Sequence, residues 1–204
     1  MKGCRFTNTD MFLVVCLIAA SDAGHRRGVH PLLGSEAHNL PLNLASPTFE
    51  VVIRNGNDLS APYLPRIPFT SVLRSSQSRA LLSQEATDPV ALEIRIRCRS
   101  FGRYKDIWTI TIEKSLPIAV RDVLQSIHEA MQTPVTFEDR QLFSDKRHRQ
   151  MFEACSARSL DEGTRNPSPL RVDLLEGKHW FGGLERDRDF GKNAFVLITG
   201  APSS

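Results

Sequence analysis

Two periodicities organise the second half of this chain. Between Ile118 and Met131, Ala119, Val120, Val123, Leu124, Ile127 and Met131 recur three or four positions apart. That spacing lays them along one stripe of a helix. Arg121, Gln125, Glu129 and Gln132 fall largely outside the stripe. Thr133-Pro134 ends the helix, because the residue before a proline is pushed out of the helical region. Thr136 then reads as a new N-cap whose hydroxyl accepts from the amide three residues on, with Glu138 and Asp139 at the positive end of the helix dipole. The spacing predicts a second helix from Phe137 to about Arg158, with Phe143, Met151, Phe152 and Cys155 on its buried side.

The other periodicity is two. In 90–99, Leu92, Ile94, Ile96 and Cys98 alternate with Glu93, Arg95, Arg97 and Arg99, the pattern of a half-buried strand. Gly102 marks a turn, and in 107–113 Trp108, Ile110 and Ile112 alternate with Ile107, Thr109, Thr111 and Glu113, so the two segments read as an antiparallel hairpin. After the loop at 166–169, the sequence predicts strands at 170–175, 179–184 (broken by Gly182-Gly183) and 195–199. Phe49–Arg54 predicts a short strand before the turn Asn55-Gly56-Asn57-Asp58, 62–68 breaks regularity, and 72–84 reads as a Ser-rich loop or weak surface helix. The implied fold is α+β: a mostly antiparallel sheet of about five strands with two helices packed on one face. The implied organisation is an apolar N-terminal segment (1–23), an irregular loop-rich region (24–85) and a globular domain (86–199).

Apolar residues make up 41% of the 204 and charged residues 24%, close to soluble globular proteins, so a buried core is expected. A net charge of +3 gives no strong nucleic-acid or membrane signal. The ten apolar residues 11–20 are too few to span a bilayer. With Lys2 and Arg5 before them and Ser21-Asp22-Ala23 after, they have the outline of a secretory signal peptide, although Asp10 abuts the run. A buried segment or a misplaced start at Met1 explains the same residues, so intracellular and secreted locations both stay open.

Candidate chemistry is sparse. Cys98 and Cys155 read as buried thiols, and as a disulfide only in a secreted protein; neither forms a CxxC pair. His25, His30 and His38 are scattered through a loop without accompanying carboxylates. Arg95, Arg97 and Arg99, with Arg103 beyond, read as the solvated face of a strand whose charge discourages edge pairing, and as an anion-holding face in the functional alternative. The run Lys146–Arg149 reads as a solvated helix face, and the mixed-charge segment 185–189 as a solvated hairpin loop, since it lacks the spacing of a calcium loop. Gly182-Gly183 fits a bulge or a close backbone approach rather than a nucleotide loop. No catalytic, cofactor or metal residue is assigned. An enzyme would need a site assembled from distant residues such as His128, Asp173 and His179, and a zinc site would draw on His128, His148, Cys155 and His179.

Three pieces of the chain resemble one family. They are Ala119–Leu124 with Ile127-His128 and Thr133–Thr136; Arg171–Gly177; and Phe181–Leu184 with Phe195–Leu197. His30–Leu33 resembles that family's N-terminal opening. The family is domain of unknown function 6699, found mainly in mushroom-forming fungi. The likeness is good over 86–199 and gapped before it, which makes 49–84 read as an insertion or a retained intron. Gly182 stands where the family more usually carries alanine. The resemblance implies no activity, ligand or catalytic residue. The leading expectation is a non-enzymatic binding or protein-interaction module with an unknown partner; the alternatives are a small secreted effector-like protein and an enzyme with a dispersed site.

Overall fold

A computed structural model of the chain describes residues 28–30, 32–34, 42–46, 50–52, 66–68, 80, 82–162 and 167–201. The apolar N-terminal segment, His25, His38 and the turn at 55–58 lie outside the described residues.

The fold is α+β. Strands β1 (Gly28–Val29) and β5 (Thr87–Asp88) form a small antiparallel pair. The main sheet contains β2 (Leu42–Asn43), β3 (Glu50–Val52), β4 (Arg66–Pro68), β6 (Glu93–Cys98), β7 (Ile110–Glu113), β8 (Trp180–Arg186) and β9 (Ala194–Gly200), in the order β4-β3-β2-β8-β9-β6-β7. The β6–β7 hairpin pairs Ile94 with Ile112 and Ile96 with Ile110, as the alternation predicts. The sheet is mixed, because β9 runs parallel to β6 while its other neighbour, β8, is antiparallel. β6 is therefore an interior strand, and its arginines guard no edge; β7 ends the sheet order instead.

Helix α1 (Val120–Met131) buries Val120, Val123, Leu124, Ile127 and Met131, the stripe read from the sequence. Its first turn is closed by Asp122, which accepts from the Ala119 amide at 2.9 Å. The α1 stripe joins Ile94, Ile96, Ile110 and Ile112 in one core cluster. Leu32, Leu33, Leu42 and Leu44 are buried in the same cluster.

Several features differ from the sequence expectation: β4 forms within 62–68, where regularity was expected to break, and Leu92 and Phe152, expected on buried faces, are exposed. The long second helix is two helices, α2 (Phe137–Gln141) and α3 (Asp145–Glu162). Thr136 caps α2 through a reciprocal pair: its hydroxyl accepts from the Asp139 amide, and Asp139 accepts from the Thr136 amide, both at 3.1 Å. The chain then turns Phe143 into the core, and the Ser144 hydroxyl accepts from the Arg147 amide to start α3. The expected third strand is instead a 3-10 turn, Arg171–Leu175. Asp173 accepts from the Leu170 amide at 2.8 Å, curling the segment, and Val172 to Leu175 are all buried, a run that a half-exposed strand does not produce.

The double glycine does mark a close approach. The β8–β9 register shifts between Phe181 and Gly183, and Gly183 has φ 105°. A Cβ on Gly182 would sit 3.1 Å from the Ile198 carbonyl oxygen.

Candidate functional site

The three residues that a dispersed enzyme site would need each have a partner elsewhere. His128 Nε2 lies 3.0 Å from the Ser46 carbonyl oxygen. Asp173 is held by Arg158, with Nε to Oδ1 at 2.9 Å and a second nitrogen to Oδ2 at 3.0 Å. That fork, together with the Leu170 amide, occupies a carboxylate whose side chain is 2% exposed. The His179 backbone carbonyl accepts from the Leu44 amide, and its ring stands 6.2 Å from that of Trp180. No bond between any two of His128, Asp173 and His179 joins them into a relay. Among the described residues, no group of three His, Cys, Asp or Glu side chains could hold a metal ion.

The basic segments divide between internal and surface roles. Arg95 on β6 and Arg99 just after it are exposed, whereas Arg97 on β6 is buried. Its Nε donates to Asp187 at 2.9 Å and a terminal nitrogen to Asp106 at 2.6 Å, and its guanidinium stacks 4.1 Å from the Phe190 ring centroid. The segment 185–189 is thus not wholly solvated, since Asp187 is buried to receive Arg97. The Asp187 bonds raise Arg97 further above its ordinary value, outweighing its burial. Burial pushes Asp187 up, but the bonds and charge of Arg97 prevail and hold its carboxyl below the usual range. In the run 146–149, Lys146 and Arg149 are exposed, while Arg147 turns inward to Glu176 and the Ser100 and Leu174 carbonyls. Cys98 and Cys155 are free and buried, and burial pushes the Cys98 thiol up to about 11.

A different constellation forms where the 105–108 turn meets α2. Trp108 is buried, with the Phe101 ring 5.2 Å and the Phe143 ring 5.8 Å away, both edge-on. Tyr104 and His148 flank Phe143 at 4.9 and 5.9 Å. Trp108 Nε1 donates to Asp139 Oδ1 at 3.1 Å, tying the turn to α2. The guanidinium of Arg171 lies 4.9 Å from the Trp108 ring centroid. Its backbone is fixed by a bond from its amide to the Thr133 carbonyl, beside the Pro134–Leu170 bridge.

Arg171 has no carboxylate within ion-pair distance among the described residues, and its Nε is buried without an acceptor. The nearby carboxylate, Asp139, is already engaged by the Thr136 amide and by Trp108. Burial lowers the pKa of Arg171, and the charge of Asp139 offsets only part of that effect. Around this platform three large apolar side chains stand in solvent: Ile107, Phe137 and Leu142, exposed by 48%, 63% and 50%.

Residues 60–190 match a family of unknown function, DUF6699. The chain belongs to that family. No curated protein and no solved structure matches it. The matched span carries Trp108, Asp139, Phe143 and Arg171, so the whole aromatic–guanidinium platform lies within the DUF6699 region.

Sequence reasoning placed Trp108 and Phe143 in the core but did not single out Arg171. Its partners are 63 and 32 positions away, by the differences 171 − 108 and 171 − 139, and no local spacing announces them. A concavity of about 540 Å³ lies beside the β1–β5 pair against His30, Gln84, Glu85 and Asp88. There His30 Nδ1 accepts from the Leu32 amide at 3.2 Å, leaving Nε2 as the donor to Gln84 at 2.7 Å. This histidine braces a turn. Among the described residues no helix is long and apolar enough to cross a membrane.

Proposed function

We propose that this domain is a non-enzymatic protein-binding module whose contact surface is α2 together with the 105–108 turn. The observation that carries the reading is the exposure of Ile107, Phe137 and Leu142 on two segments joined by the Trp108–Asp139 bond. Scattered exposed apolar residues are ordinary, but several around one rigid support mark an interaction surface. The support here is the edge-on aromatic packing of Phe101, Trp108, Phe143 and Tyr104. A pre-formed platform of this kind loses little side-chain entropy when a partner docks, which favours affinity.

The reading is tested by affinity purification from native extract with the full chain and with Ile107→Ser/Phe137→Ser/Leu142→Ser. The expected result is a partner retained by the parent and weakened more than about tenfold, or 1.4 kcal/mol, in the variant. Recovery of the same proteins by both, from equally folded baits, contradicts it.

A further inference from the structure

We propose that Arg171, stacked on Trp108, reads a carboxylate, and that the occupant is an acidic side chain of a partner protein with apolar residues beside it. The inference rests on the binding-module reading and names the chemistry of the partner.

Four observations lead to it. Arg171 is half-buried, yet no described carboxylate lies within ion-pair distance; its Nε is buried without an acceptor, so a ligand meets the terminal nitrogens. Asp139 is spent on Thr136 and Trp108 and does not rotate to meet Arg171 without uncapping α2. The guanidinium carbon lies over the Trp108 ring, which holds the cation in place before any ligand arrives. The exposed Ile107 and Leu142 are the sequence neighbours of Trp108 and Phe143, so apolar side chains stand exposed on the segments that carry the aromatic support.

Three other buried or half-buried arginines are finished by carboxylates, and Arg140 by the Thr136 carbonyl. Arg97 has Asp187 and Asp106, Arg158 has Asp173, and Arg147 has Glu176. A single planar fork matches a carboxylate in bidentate geometry. Inorganic phosphate is the poorer fit, because the negative charge of Asp139 is close enough to act on Arg171 and would oppose the second charge of the phosphate dianion. The apolar surround likewise suits a peptide and adds nothing for a bare ion.

The test is selection of random peptides displayed on phage against the full-length protein, followed by titration of synthetic peptides. Selected sequences should be enriched in Asp or Glu next to apolar residues. Replacing that acid by its amide should weaken binding more than about tenfold. Arg171→Met, which keeps the stem over Trp108, should lose binding to the same extent with a melting temperature within about 4 °C of the parent. Arg171→Lys should recover only part of it, since an ammonium lacks the fork. Failure to select any peptide, selection without acid preference, full binding by the amide peptide or by Arg171→Met, or displacement by millimolar phosphate would each overturn the proposal. If Arg171→Met binds normally while the Ile107/Phe137/Leu142 variant does not, the acidic-partner inference fails and the binding surface stands. If neither variant loses binding, both fail.

Discussion

Arg97 and Arg171 are built alike and finished differently. Each places its guanidinium on an aromatic ring, Phe190 at 4.1 Å and Trp108 at 4.9 Å. Arg97 then meets two carboxylates, whereas Arg171 meets none among the described residues. The consequence appears in their proton affinities. The Asp187 bonds raise Arg97 above its ordinary value, and burial lowers Arg171. Taking a cation out of water is unfavourable unless a partner offsets it. At Arg97 the partner is internal, so the residue locks β6 to the loop after β8. At Arg171 no described carboxylate lies within ion-pair distance to offset the burial, which is the feature that the proposed acidic partner would complete.

That contrast can be broken at the paired arginines first. Asp173→Ala should cost about 3–5 kcal/mol, because it removes both carboxylate contacts of the half-buried Arg158 and also uncaps the 3-10 turn. Denaturant unfolding measures it; a loss under about 1 kcal/mol would mean the buried pair contributes little. Asp187→Ala should cost less, about 1.5–3 kcal/mol, the range for hydrogen bonds to a charged group, since Asp106 still reaches Arg97.

The pH dependence follows from the direction of the Asp187 shift. Its folded carboxyl is held below the usual value, so the stability it contributes is fully present above the unfolded value, about 3.9. That contribution is lost as pH falls through the lower folded value. Unfolding curves of the parent and Asp187→Asn should therefore be separated by a constant gap at neutral pH, and the gap should close in acid below about pH 4. A gap that widens in acid would reverse the assignment.

The smallest effect is expected at Arg171. Arg171→Met removes an imperfectly offset buried charge and keeps an apolar stem, so stability should change by less than about 1 kcal/mol in either direction. A loss comparable with that of Asp173→Ala would place Arg171 among the internal braces and remove the contrast.

These differences also explain what the sequence disclosed. Helix α1 and the β6–β7 hairpin were legible because their burial follows local periods: the Val120–Met131 stripe and the paired Ile94–Ile112 and Ile96–Ile110. Thr136 was legible as a cap because its partner, Asp139, is three residues away. Arg97 was not, because alternation assigns it to solvent and its partner Asp187 lies 90 positions away. The parallel pairing of β9 with β6 joins segments nearly a hundred residues apart and leaves no local trace. The turn at Arg171–Leu175 misled for another reason. A short apolar run suits a strand or a buried turn equally, and only the Asp173 carboxylate, closing on the Leu170 amide, decides between them. Ser144 offered a comparable signal for the α2–α3 break, as a hydroxyl three residues before the amide it caps. The candidate site shows the same division. Trp108 and Phe143 follow from apolar patterning, while the absence of an ion-pair partner for Arg171 among the described residues shows only once the chain is packed.

The most direct measurement of the contrast is nuclear magnetic resonance of the arginine guanidinium groups in the full-length protein. Sodium acetate is titrated in at constant ionic strength, with acetamide as the uncharged control. The Arg171 signal should move progressively toward saturation with acetate and stay still with acetamide, while the Arg97 signal, already held by Asp187 and Asp106, stays still with both. An Arg171 signal unaffected by acetate, or an Arg97 signal that moves in step with it, would contradict the account.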